Sequence, residues 1–249
     1  MKRISLKLLA TVAFVLLTAV LVSSQGFAAD QNWQGLYVGA HFGYGWGNGD
    51  ATVSSLPAGN PGGILTETLS PDPSGVLGGL QAGYNYQSGI FVIGAETDFS
   101  FSDMRGTEPG QVFATSGVLV PGYNIMTHQQ TDWLGSLRLR AGVTPVSKLL
   151  LYATGGLAYG QVKYTGNLNQ LGMIQYPAST TKTKAGWTAG AGAEYALTRN
   201  WSVKAEYLYY DLGKETIIGN PIPANPPWQI VYDFKTSANI VRAGINYKF

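Results

Sequence analysis

The sequence predicts an all-β protein: an eight-stranded antiparallel up-and-down transmembrane β-barrel with long extracellular loops. Three observations predict it. The first is an export signal. Lys2, Arg3 and Lys7 precede an apolar run from Leu8 to Val22, and Gly26-Phe27-Ala28 supplies a small-x-small cleavage site, so 1–28 reads as a signal peptide and 29–249 as one exported domain. The second is the closing segment Val241-Arg242-Ala243-Gly244-Ile245-Asn246-Tyr247-Lys248-Phe249, in which odd positions are apolar and even positions are polar or Gly. The third is composition: only 12% of residues are charged, beside 33 Gly and 21 Tyr plus Trp, whereas a soluble globule carries about twice that charge fraction. An exported, charge-poor chain of strands with one oily and one wet face fits a barrel that turns apolar side chains to lipid and polar ones to its lumen.

Strands are expected near 35–46, 75–87, 90–101, 132–143, 149–162, 185–196, 201–212 and 236–249. Tight turns fall at 87–89, 144–148 and 198–200, and long connections rich in Gly, Pro, Ser, Thr and Asn at 47–74, 102–131, 163–184 and 213–235. Alternating long and short connections are the rhythm of an even-stranded barrel, with short turns in the periplasm and long loops outside. Parity then assigns two faces. Leu36, Val38, Ala40, Phe42 and Tyr44 point out in the first strand, Leu80, Ala82, Tyr84 and Tyr86 in the second, and Leu149, Leu151, Ala153, Leu157 and Tyr159 in the fifth. No outward position is charged, as expected where a cation at mid-bilayer costs about 2 to 4 kcal/mol.

The opposite parity carries Glu96, Asp98, Arg138, Arg140, Glu194, Lys204, Glu206 and Arg242, four acids and four bases among glycines. An eight-stranded interior is just wide enough for side chains to fill it, and unpaired buried charge is costly. Interlocked ion pairs are the simplest arrangement. Trp33, Trp46, Trp133, Trp187, Trp201, Tyr159 and Tyr247 stand at strand ends, where girdles of amphipathic rings are expected.

Composition excludes several classes. Removing the signal leaves 13 basic against 14 acidic residues, a net charge of −1, with no basic run suited to nucleic acid. There is no cysteine, hence neither a disulfide nor a lipidated anchor. No second apolar run of about 18 residues follows the signal. A secreted β-sandwich is the alternative fold, and it would need a more charged surface.

Several segments carry a family resemblance: Trp33-Gln34-Gly35-Leu36-Tyr37-Val38-Gly39-Ala40, Gly79-Leu80-Gln81-Ala82-Gly83-Tyr84-Asn85-Tyr86, Leu151 to Gly160, Gly186 to Ala196, Trp201 to Gly213 and the terminal Val241 to Phe249. In these the chain resembles the porin-family outer-membrane immunogenic proteins, which share the eight-stranded transmembrane fold of OmpA. The resemblance implies residence in the outer membrane of a Gram-negative bacterium, surface-exposed antigenic loops, contact with outer-membrane lipid and lipopolysaccharide, and insertion by the barrel-assembly machinery guided by a terminal aromatic signal, Tyr247 and Phe249. It implies no shared ligand. The periplasmic peptidoglycan-binding domain of full-length OmpA is not expected here.

No enzyme, cofactor or metal site is expected. His41 faces the lumen and His128 falls in the second long connection, without a nucleophile and orienting group whose placement parity can argue. The glycine run Gly43 to Gly49 is followed by no helix and so is no phosphate cradle. Asp72 and Asp103 lack metal-site spacing. The reading is a structural, surface-exposed barrel with a charge-plugged lumen. The alternatives are a passive small-solute channel and a loop-mediated adhesin or ligand-binding protein.

Overall fold

A computed structural model describes residues 32–56, 67–113, 119–224 and 229–249. The expected signal peptide and its cleavage site lie outside the described residues. Ten strands form one antiparallel sheet: β1 (Gly35–Gly47), β2 (Asp50–Leu56), β3 (Glu67–Leu69), β4 (Ser74–Ser88), β5 (Phe91–Phe113), β6 (Leu119–Val146), β7 (Leu149–Gln170), β8 (Ile174–Ala196), β9 (Trp201–Gly219) and β10 (Gln229–Lys248). Each of β4 to β10 pairs with its sequence neighbour, and β1 pairs with both β4 and β10, so eight strands close a ring. Closure leaves the membrane-spanning backbone without an edge. β2 continues the line of β1 along β10, from Gly47↔Ala238 to Asp50↔Lys235, and β3 folds back onto β2.

The outward parity holds: Leu36, Phe42, Leu80, Phe91, Ile93, Leu137, Leu139 and Leu157 are all exposed on the outer face. The connections differ from expectation. Segments 102–131, 163–184 and 213–235 are largely strand, because β5 to β10 run on well past the membrane into a collar. The physical reason is visible along β7. From Leu149 to Tyr159 the outward residues are mostly apolar, and beyond it they become Gln161, Lys163, Thr165, Asn167 and Asn169, while Val162, Tyr164 and Leu168 turn inward and are fully buried. Where lipid gives way to water outside the barrel, the apolar residues change sides. β10 inverts likewise, with Ile240, Phe234, Tyr232 and Ile230 inside and Asn239, Lys235 and Asp233 outside.

One bulge keeps the inversion in register on β9. Leu212 is skipped in the pairing between Asp211↔Ser237 and Gly213↔Thr236. Gly213 takes φ +76°, a left-handed value that glycine adopts without a Cβ penalty, and its N–H donates to Asp211 Oδ1 at 2.8 Å. Leu212 at the bulge and Ile217 after it therefore both face the collar core.

Candidate functional site

The lumen below the collar is filled by charge. All eight residues assigned to it by parity lie in one buried cluster. Arg138 is at its centre: Nη1 donates to Glu206 at 3.0 Å, Nη2 to Asp98 at 3.1 Å and to Glu96, and Nε to Ser136 Oγ at 2.9 Å. Arg242 adds Glu206 at 2.6 Å and Asp98 at 3.3 Å, and Lys204 reaches Glu96 at 2.9 Å. Nearer the periplasm, Arg140 pairs with Glu194 at 2.8 Å, donates to Tyr37 Oη at 3.0 Å, and lies 4.0 Å over the Tyr152 ring. Four bases against four acids leave no net charge. With these side chains almost wholly buried, each charge is tolerated only because several partners surround it.

Small residues create the room. A Cβ on Gly192 would lie 2.5 Å from Tyr152 Oη, and one on Gly43 would lie 2.7 Å from Arg242 Cβ. Parity reasoning missed the neutral members: Tyr37 donates to Glu96 at 2.7 Å, Tyr152 to Glu206 at 3.1 Å, Ser136 to Asp98 at 2.5 Å, and Ser202 and Asn246 to Glu194 at 2.5 and 2.7 Å. The available signal was their lumenal parity; two tyrosines on a wet face call for polar partners.

Above this cluster lies an apolar core, in which Met104, Leu134, Val162, Leu208, Tyr210, Ile240, Tyr164 and Phe234 pack with Ala51 and Val53 of β2. Burial pushes the Tyr164 phenol up to about 12, so it stays neutral beside Thr236 Oγ1 at 2.6 Å. At the other end Trp33 departs from the expected girdle. It is 3% exposed and packs inside the periplasmic mouth with Val92, Leu150, Tyr152 and Ala196, and its Nε1 donates to Ser147 O at 3.1 Å. Trp33 precedes β1, so strand parity does not constrain it, and the mouth offers both an apolar bed and an acceptor. The other expected aromatics lie on the outer face: Trp46 is half-buried beside β4, Trp133 stacks on Phe99 at 5.5 Å, Trp187 lies 5.3 Å from Tyr209, and Trp201, Tyr247 and Phe249 form a row with ring separations of 5.0 and 5.3 Å.

A match to known proteins decides the family. The model of the outer membrane protein β-barrel domain matches residues 14–249. The chain belongs to that family. It is 38% identical over 220 residues to the 31 kDa outer-membrane immunogenic protein of Brucella melitensis, covering 88% of this chain and 84% of that one. It is 27% identical over 225 residues to the 25 kDa outer-membrane immunogenic protein of Brucella abortus, covering 89% of this chain and 82% of that one. The crystal structure of OprG from Pseudomonas aeruginosa shares the fold at 14% identity, with a TM-score of 0.51 over 89% of this chain and 99% of that one. The outer-membrane protease OmpT from Escherichia coli is similar in fold at 10% identity and a TM-score of 0.51, over 91% of this chain and 99% of that one. This family member is thus an outer-membrane β-barrel of the immunogenic-protein type.

Its histidines stand apart from any catalytic arrangement among the described residues. His41 Nε2 is 2.7 Å from Ser100 Oγ, but both residues are buried in the lumen and His41 Nδ1 has no hydrogen-bond partner to orient it. His128 sits on β6 rather than in a loop, with Nδ1 2.8 Å from Thr107 Oγ1.

Proposed function

We propose that the protein is a non-catalytic structural barrel, closed to solutes and presenting its collar outside the cell. In this reading it is exported by removal of 1–28 and carries no cofactor or metal. The observation that supports it best is Arg138, whose side chain has no exposed surface and is shared by Glu96, Asp98 and Glu206 across the lumen. A water path would have to pass both this cluster and the apolar core above it. Proteoliposomes carrying the refolded protein are expected to swell in arabinose no faster than empty liposomes. Swelling that scales with protein content would favour the channel reading.

The terminal row serves assembly in the same reading. Phe249 is 72% exposed at the periplasmic rim, and its N–H donates to Leu36 O at 3.0 Å, so the ring adds little burial to the finished barrel. Deleting Phe249 is expected to reduce surface-membrane yield several-fold while leaving the urea midpoint of the assembled fraction nearly unchanged. Normal yield and insertion rate would remove the assembly role.

A further inference from the structure

Charge stops short of the far end of the collar. On β5 and β6 the last charged residues are Glu108 and Asp132, on β7 and β8 Lys163 and Lys182, and on β9 and β10 Glu215 and Asp233. Beyond them the three connections, 109–131, 164–181 and 216–232, contain no Asp, Glu, Lys or Arg. A surface that meets only water ordinarily gives about a quarter of its residues to charge.

Apolar side chains stand at the turns instead. Leu119, Leu171, Met173 and Ile222 are 42 to 72% exposed. They are also neighbours: the Leu171 N–H donates to Gly122 O at 2.7 Å and its side chain lies over Gly122, where a Cβ would collide with it, three residues from Leu119. Gln175, two residues after Met173, exchanges backbone hydrogen bonds with Ile222 at 3.0 and 2.8 Å. The exposed row therefore runs across the ends of β6, β7, β8 and β9. Large apolar side chains gathered at one exposed end mark a contact surface.

Leu171 is the most telling member. It has φ +54° and Gly172 has φ +71°, in a turn closed by Met173 N–H donating to Gln170 O at 3.0 Å. Two left-handed residues in succession favour Asn-Gly, because a bulky residue there is strained and Asn is not. Leucine at this place is thus unfavourable twice, for its backbone and for its exposure to water. The turn is nevertheless held firmly, with the Gly172 N–H donating to Asn169 Oδ1 at 2.9 Å. A fixed, strained, exposed apolar residue points to a role in contact.

Shape and chemistry select the occupant. These side chains stand on projecting turns, which suit a fluid surface that closes around them. The absence of charge leaves nothing to fix register on a protein partner, and it removes the cost of carrying charge into an apolar layer. Asn169, Gln170 and Gln175 flank the row with uncharged amides, which can hydrogen-bond among lipid headgroups. From this we infer that Leu119, Leu171, Met173 and Ile222 insert into the interfacial layer of an apposed zwitterionic phospholipid membrane. The inference rests on the reading that the collar faces outward.

The test uses the full barrel in nanodiscs, which leave both ends accessible, and flotation with phosphatidylcholine vesicles. Discs carrying the native protein are expected to float with the vesicles, and empty discs to stay behind. The bound fraction should be the same at low and high salt and with phosphatidylserine added, because no charge takes part. Leu171→Asn separates contact from structure. Asparagine suits the turn better than leucine, so the urea midpoint should hold or rise while vesicle affinity falls about tenfold, the order expected for losing a partly buried Leu. Native discs that stay behind, or a Leu171→Asn protein that floats like the native one, overturn the proposal. Binding that needs phosphatidylserine or low salt overturns it in favour of charge, and association of discs with one another without vesicles overturns it in favour of a second copy as occupant. Orientation is read separately: Ser179→Cys, an exposed position in a chain without other cysteines, should react with a membrane-impermeant maleimide on whole cells. Failure of that labelling overturns the outward reading, and the apposed membrane with it, whatever the vesicles show.

Discussion

Arg138→Ala is expected to destabilise the barrel by about 3 to 5 kcal/mol, because it leaves Glu96, Asp98 and Glu206 with one positive charge too few in a space they cannot leave. The same truncation opens a void where the guanidinium met three carboxylates and Ser136. Water entering that void would soften the penalty, so the urea midpoint should fall while the apolar core above still blocks a continuous path. The double variant Arg138→Ala with Glu206→Ala restores the charge balance. Its loss should fall short of the sum of the single losses by about 0.5 to 3 kcal/mol. Additive losses would mean that the two side chains do not act as a pair.

Phe234→Ala tests the upper half of the molecule. Phe234 is fully buried, its ring lies 5.1 Å from that of Tyr164, and it packs in the core that the collar strands share with β2. Truncating a buried Phe costs about 3 to 5 kcal/mol. Because the charge cluster lies below this core, the loss should be felt in the collar first. Amide exchange is expected to accelerate by about two to three powers of ten in residues 229–236 and 161–168, at about tenfold per 1.4 kcal/mol, and little in residues 136–142. Uniform acceleration along β6, β7 and β10 would mean that the barrel and collar open as one unit.

The lipid-facing half of this fold was legible because one physical rule governs every strand there. Leu80, Leu139 and Leu157 had to face lipid, which put Glu96, Arg138, Glu206 and Arg242 inside without any knowledge of the structure. The collar escaped the same reading because the rule reverses outside the membrane. Val162, Tyr164 and Leu168 do alternate with Lys163, Thr165 and Asn167, but the apolar set changes parity near Tyr159, so the segment resembles a polar loop when judged by the parity of the lipid-facing half. The Gly213 bulge hides the pattern further on β9 by shifting it one residue. Trp33 was beyond reach for a different reason. It belongs to no strand, and its place is set by the periplasmic mouth, which exists only once the ring has closed.

The most direct test of the sealed lumen is single-channel recording of the native protein in a planar bilayer. The ion-pair cluster and the apolar core above it predict a current indistinguishable from that of the bare membrane. Large, steady openings in the native protein would contradict the account and make the barrel a channel.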